Sequence, residues 1–264
     1  MDKENLPIGV FDSGLGGIST LAVLNQYLPN ENFVFLGDSL NAPYGDKGKS
    51  KMIQLSENIV NQLLQFPVKA IVIACNTATS AAKNELCDLY PNTPIIGIEP
   101  ALKAAVDSGS QSILVMGTKL TLELEKFNKL LSQYSSNTDI HLLACPGLAD
   151  LIDRGIDNTD AIDYLLEKLL KPFLNDPIDS IVLGCTHYPF VKDRIQNLFD
   201  KDINFFTGFT GVAKQLEQQL KDKNTLTNSK SKGTIEFFSS KKDNNEIQRY
   251  KNYFEFAVGK IGNK

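Results

Sequence analysis

Two of the four cysteines in this chain stand in matching surroundings. Residues 70–77 (AIVIACNT) and 180–187 (SIVLGCTH) each carry an unbroken apolar run into a cysteine, Cys75 or Cys185, followed by polar side chains. A thiol at the carboxyl end of a strand and the start of a helix meets unsatisfied backbone N–H groups and the positive end of the helix dipole. Both favour thiolate. An ordinary thiol, with a pKa of about 8.5, is mostly protonated at pH 7, and bringing it to about 7 takes roughly 2 kcal/mol. Paired thiols suit one reaction in particular. Inverting an α-carbon means removing a proton from one face and delivering another to the opposite face. A thiolate and a thiol serve both directions when each pKa lies near the working pH. Cys87, beside Leu86 and Leu89, reads as a small helix hydrophobe, and Cys145, before Pro146 and Gly147, as core or turn.

A weakly acidic α-proton also demands donors already aimed at the developing negative charge. Asn76 and Thr77 follow the first cysteine, and Thr186 and His187 follow the second. Each pair can offer side-chain and backbone donors to a carboxylate. His187, two residues past Cys185, can tune that thiol or act on the substrate. Residues 11–19 (FDSGLGGIS) form a glycine-rich strand-to-helix turn that lacks GxxxxGK[ST] and does not complete GxGxxG. The expectation there is close backbone approach to a small ligand, with Asp12 aimed at an amine or at Cys75. A second turn-rich loop, 37–45, carries Asp38, Tyr44 and Gly45.

Apolar runs alternate with helical patterns along the 264 residues, the signature of an α/β chain with a largely parallel sheet. Strands are expected at 8–11, 33–36, 70–74, 95–98, 113–116, 141–144, 181–183 and 203–206, with an edge strand at 234–239. Most are unbroken, as in strands covered by helices on both faces. Ile18, Leu21, Leu24 and Leu28 recur on one helical face, as do Leu122, Leu124, Phe127, Leu130 and Leu131. The two cysteine units lie one α/β domain apart. The expected fold is therefore two similar, pseudo-symmetric domains, 1–98 plus 208–264 and 99–207, with both thiols in the cleft between them at the carboxyl ends of the strands. With 42% hydrophobic and 22% charged residues, a core can form without disulfides or structural metal. A net charge of −4 with no basic stripe argues against nucleic acid, and the lysine-rich 221–232 stretch reads as solvated surface. No apolar run approaches the roughly 18 residues of a membrane span. The first residues do not form a secretion signal. Scattered cysteines suit a reducing cytosol, and two histidines give poor support to a metal site.

Four motifs, 8–17 (IGVFDSGLGG), 37–45 (GDSLNAPYG), 74–78 (ACNTA) and 183–189 (LGCTHYP), occur in an order and at spacings that resemble the glutamate racemases of the aspartate/glutamate racemase superfamily. The similarity covers nearly the whole chain. It implies cofactor-free racemisation without pyridoxal phosphate or metal. Cys75 would serve D-glutamate and Cys185 L-glutamate, assisted by Asp12 and His187 respectively. Ser13, Tyr44, Gly45, Asn76, Thr77 and Thr186 match substrate-holding positions. It further implies supply of D-glutamate for peptidoglycan, a bacterial cytoplasm and a homodimer. The chain departs from the pattern at Asp153, where the family usually has Glu, and at 209–212 (FTGV), where many relatives carry an acidic residue. On residue chemistry alone three other readings stay open: an aspartate racemase of the same fold, a hydrolase using Cys185 and His187, and a non-catalytic protein that closes on an amino acid.

Overall fold

In the computed structural model, which describes residues 3–134 and 138–261, the chain forms two parallel sheets. Their strands, in chain order, are β1 (Ile8–Asp12), β2 (Phe33–Gly37), β3 (Ala70–Ile73), β4 (Ile95–Gly97), β5 (Ser112–Gly117), β6 (Asp139–Ala144), β7 (Ser180–Leu183), β8 (Asn204–Phe206) and β9 (Ile235–Ser239). The first sheet runs β4-β3-β1-β2-β9 and the second β6-β5-β7-β8. Every neighbouring pair is parallel. Leaving β9 aside, both sheets have the same spatial order, second-first-third-fourth, so each cysteine follows the third strand of its own unit. The backbone repeats the correspondence: Ala74 N–H donates to Phe11 on β1, and Gly184 N–H to Met116 on β5. The two-sheet α/β fold expected from the sequence is the one observed. Strands β1 to β5 and β7 are buried throughout, whereas β6 and β8, at the edges of the second sheet, are partly exposed and not covered on both faces.

The helices are α1 (Gly17–Tyr27), α2 (Lys49–Leu63), α3 (Asn76–Leu89), α4 (Leu102–Asp107), α5 (Lys119–Glu123), α6 (Glu125–Tyr134), α7 (Leu148–Arg154), α8 (Thr159–Leu170), α9 (Lys192–Gln196), α10 (Phe209–Asp222) and α11 (Asn244–Lys260). Ile18, Leu21, Leu24 and Leu28 are buried, as their spacing predicts. Each such side chain contributes about 1.5–3 kcal/mol on burial. The helix expected through Leu122 to Leu131 is instead two: Leu124 is extended, and its carbonyl accepts the Asn128 N–H that starts the second. One hydrophobic cluster joins Ile8, Val10, Ile96 and Ile98 of the first unit to Leu114, Met116 and Leu183 of the second. The chain crosses between the sheets after β4 and again after β8. There a Cβ on Gly208 would sit 2.2 Å from the Glu99 carbonyl oxygen, so only glycine lets the two crossings touch.

Candidate active site

Cys75 lies two residues past β3 and is the N-cap of α3, its sulfur accepting the Ala78 N–H at 3.5 Å. Ser13 Oγ stands 4.0 Å away. The sequence predicts that the helix start favours thiolate here; the Ala78 N–H acts in that direction, but it is outweighed. Burial, followed by the nearby charge of Asp12, pushes the Cys75 thiol far above its ordinary value, and the Ala78 and Ser13 contacts only partly oppose it. Asp12 is not aimed at Cys75. Its Oδ2 accepts the N–H groups of Gly17 (3.0 Å) and Gly14 (3.3 Å), supplying the cap that Gly16 cannot give α1. Its Oδ1 accepts from the Thr186 hydroxyl at 3.4 Å, across to the other unit. Burial raises the Asp12 carboxyl, and His187 and the two backbone donors act against that shift.

Cys185 has a different neighbour. The echo between the two segments predicts a helix directly after each cysteine. Here Pro189 instead sits in the first turn of a 3-10 segment, Tyr188–Val191, and α9 begins only at Lys192. Among the described residues no helix N–H bonds to this sulfur as Ala78 does to Cys75. His187 Nδ1 faces it instead, at 3.6 Å. The other ring nitrogen, Nε2, lies 3.0 Å from Asp153 Oδ1. Burial alone would depress the His187 imidazole, but the Asp153 charge and hydrogen bond, with Cys185, outweigh it and hold the ring well above 6.5. Asp153 is the mirror case. Burial would raise it, and His187, the Leu15 N–H (3.3 Å) and Arg249 together hold it below 3.8. The departure from Glu to Asp thus leaves a working partner for the imidazole. The glycine-rich turn admits this side of the site more than a ligand: a Cβ on Gly16 would fall 2.4 Å from His187 Nδ1 and 2.5 Å from the Thr186 hydroxyl.

Both cysteines line one cavity of about 140 Å³, with Ser13, Tyr44, Gly45, Asn76, Thr77, Thr186 and His187 also on its walls. It is smaller than a typical drug-sized pocket and suits a compact ligand. Asp12 stands behind the wall rather than on it. Tyr44 is fixed by donating to Asp38 at 2.6 Å. Thr77 shares a ring of hydroxyl contacts, 2.8–3.2 Å, with Thr118 and Thr121 of the facing unit. Asn76 Oδ1 is buried with no hydrogen-bond partner among the described residues. Thr118, Lys119, Cys145 and Asp150 also line the cavity and escaped the sequence reading. The first three directly follow β5 and β6, where ligands gather in open α/β sheets, and that rule would have found them. Burial pushes the Cys145 thiol up to about 12. Among the described residues no group of three or more His, Cys, Asp or Glu side chains is placed to hold a metal ion.

The Asp/Glu/Hydantoin racemase family matches residues 34–216. A glutamate racemase of Clostridium perfringens is 44% identical over 256 residues, 96% of this chain and 98% of that one. One of Clostridium novyi is 44% identical over 248 residues, covering 94% and 96%. Among solved structures, a glutamate racemase isoform of Bacillus anthracis superposes with a TM-score of 0.85 at 28% identity, covering 96% and 95%. That of Francisella tularensis, in complex with D-glutamate, gives 0.80 at 26%, covering 97% and 94%. Two like-ordered parallel sheets, a cysteine past the third strand of each, and relatives matched from end to end place the chain in the Asp/Glu/hydantoin racemase family, among its glutamate racemases.

Proposed function

We propose that the chain interconverts L- and D-glutamate by a two-base reaction between Cys185 and Cys75, without cofactor or metal. The observation that carries this reading is one small cavity with a sulfur from each unit on its wall, each polarised by its own partner. Burial and Asp12 favour the thiol form of Cys75, while Cys185 faces an imidazole whose charged form is favoured by Asp153. That pairing suits attack on L-glutamate. The Cys185 thiolate takes the α-proton, and the C–H electron pair spreads into the α-carboxylate. Cys75 S–H then delivers its proton to the opposite face, giving D-glutamate. The reverse reaction starts from Cys75 thiolate and Cys185 thiol. In this reading Asn76, whose buried Oδ1 has no partner among the described residues, accepts from the substrate ammonium, and the Thr77 and Thr186 hydroxyls donate to carboxylate oxygens. Ser13, Tyr44 and Gly45 complete the holding surface, and Asp12 fixes the α1 turn and Thr186 beside it. The Francisella relative's complex with D-glutamate supports the substrate.

In this reading residues 1–98 with 208–264 and residues 99–207 are the two domains that close on glutamate. The enzyme works in a bacterial cytoplasm, as a homodimer, and supplies D-glutamate for peptidoglycan. The test uses purified, chelator-treated protein with L- or D-glutamate in heavy water, following optical rotation and α-deuteration. Wild type inverts and labels the α-carbon from either enantiomer, while Cys75→Ala and Cys185→Ala each abolish inversion. Full inversion surviving in either variant would end the two-base assignment. Equal or faster turnover of aspartate would end the substrate assignment.

A further inference from the structure

The C-terminal helix of the first unit reaches across to the second and grips it at one place. Two α11 residues four apart, Arg249 and Tyr253, stand on one helical face. The Arg249 guanidinium donates to the main-chain carbonyl of Asp153. The Tyr253 hydroxyl reaches the Ile152 carbonyl at 3.4 Å and accepts the Ile156 N–H at 2.9 Å. Ile152 and Asp153 lie in the last turn of α7; the Ile152 carbonyl already accepts the Gly155 N–H at 3.1 Å, so Tyr253 adds a second contact there while Arg249 holds the next carbonyl. A helix from one unit thus caps a helix of the other. Tyr253 is itself held edge-on against Phe190, 5.3 Å between ring centres, in the segment that follows His187. Asp153 is the residue whose carboxylate orients the ring beside Cys185.

We infer that Arg249 and Tyr253 are positioning residues for the Cys185 half of the site: by fixing the end of α7 they set the Asp153 carboxylate against His187, and through it the state of the Cys185 thiol. The proposal rests on the two-base reading for its kinetic consequence but not for its structural one. The charged and titratable groups that face this line are Asp153 on α7, Asp12 at the end of β1, Cys75 at α3, Cys145 after β6, Tyr188 beside Cys185, and Arg249 itself. Of these Arg249 is the cation on Asp153 from α11. Without it the Asp153 carboxylate loses one of the groups that hold it, and is seated less firmly against the His187 ring, as the ring is in turn against Cys185. Cys75 has its own backbone donor in Ala78, and the charge of Cys185 is what links it to this line.

The experiment is the pH profile of iodoacetamide alkylation at Cys185 and Cys75, read site by site by peptide mass spectrometry on the full chain. The variants are Arg249→Met, Arg249→Lys and Tyr253→Phe. In Arg249→Met the Cys185 midpoint rises by about one pH unit, a tenfold slower reaction on the acid side of the profile, while Cys75 keeps its profile. The same variant loses about tenfold in kcat with a smaller change in KM, and Arg249→Lys recovers most of both. Tyr253→Phe keeps the ring on Phe190 and removes only the hydroxyl; it moves Cys185 the same way and less, and carries the test should Arg249→Met not fold. A Cys185 profile unmoved in the folded variants, or one that shifts together with Cys75, overturns the proposal. A Cys185 shift in a protein that does not racemise glutamate leaves the positioning role standing and removes the reaction instead.

Discussion

Cys75 and Cys185 occupy opposite electrostatic settings, one beside a buried carboxylate and a backbone donor, the other beside an imidazole tied to Asp153. Asp153→Asn keeps the volume and removes the charge, so the ring loses what holds it protonated. Racemisation followed by circular dichroism should then fall about 100-fold in kcat. The same pair leaves a signature in stability. His187 is raised, so its contribution is complete below 6.5 and is lost as pH climbs through the raised value. Asp153 is lowered, so its contribution is present above 3.8 and is lost as pH falls through the depressed value. Urea titrations should show wild type exceeding Asp153→Asn most between those limits, with the gap closing on either side. A gap that does not vary with pH contradicts the ion pair. Gly16→Ala should also cripple turnover, because its methyl would occupy the place of the His187 ring and force it off Cys185.

Among the elements, what the sequence exposes follows from how local the signal is. Parallel strands buried by their neighbours read as apolar runs, and the nine strands among the described residues lie where the sequence predicts strands, the partly exposed β6, β8 and β9 included. The cysteines and the residues beside them were legible because strand ends and helix starts are contiguous in the chain. Asp12 and Gly16 were legible as site residues but not in what they do, since Thr186 and His187 approach them from about 170 residues away. Pro189 is the local signal for the 3-10 turn after Cys185, and it competes with the likeness to the Cys75 segment, which points to a helix. The grip of α11 on α7 could not be read at all, because no periodicity within α11 names its distant partner. Tyr250 shows how α11 itself is seated: its ring meets Phe35 edge-on at 5.4 Å, and its hydroxyl contacts Ser39 (2.7 Å) and Glu246 (3.0 Å). Tyr250→Phe keeps the ring and should cost about 1 kcal/mol in urea unfolding. A neutral result would mean the hydroxyl contacts add nothing.

Across the whole molecule, the proposed closure on glutamate would bend the two crossings that meet at Glu99 and Gly208. Gly208→Ala pushes a methyl into the Glu99 carbonyl, and should cost about 1–3 kcal/mol in urea unfolding while raising KM for glutamate. An unchanged KM alongside lost stability would separate the crossing from closure. The cluster that runs from Ile8 and Ile98 through to Leu114 and Leu183 bears on another property. Each lobe also keeps a buried cluster of its own, and lobes held by nothing else would come apart at two temperatures. Here neither lobe can loosen without exposing the oily side chains of its neighbour. In a scanning calorimeter the chain should therefore melt once, with equal calorimetric and van't Hoff enthalpies, and a bound amino acid should move that single peak upward without splitting it.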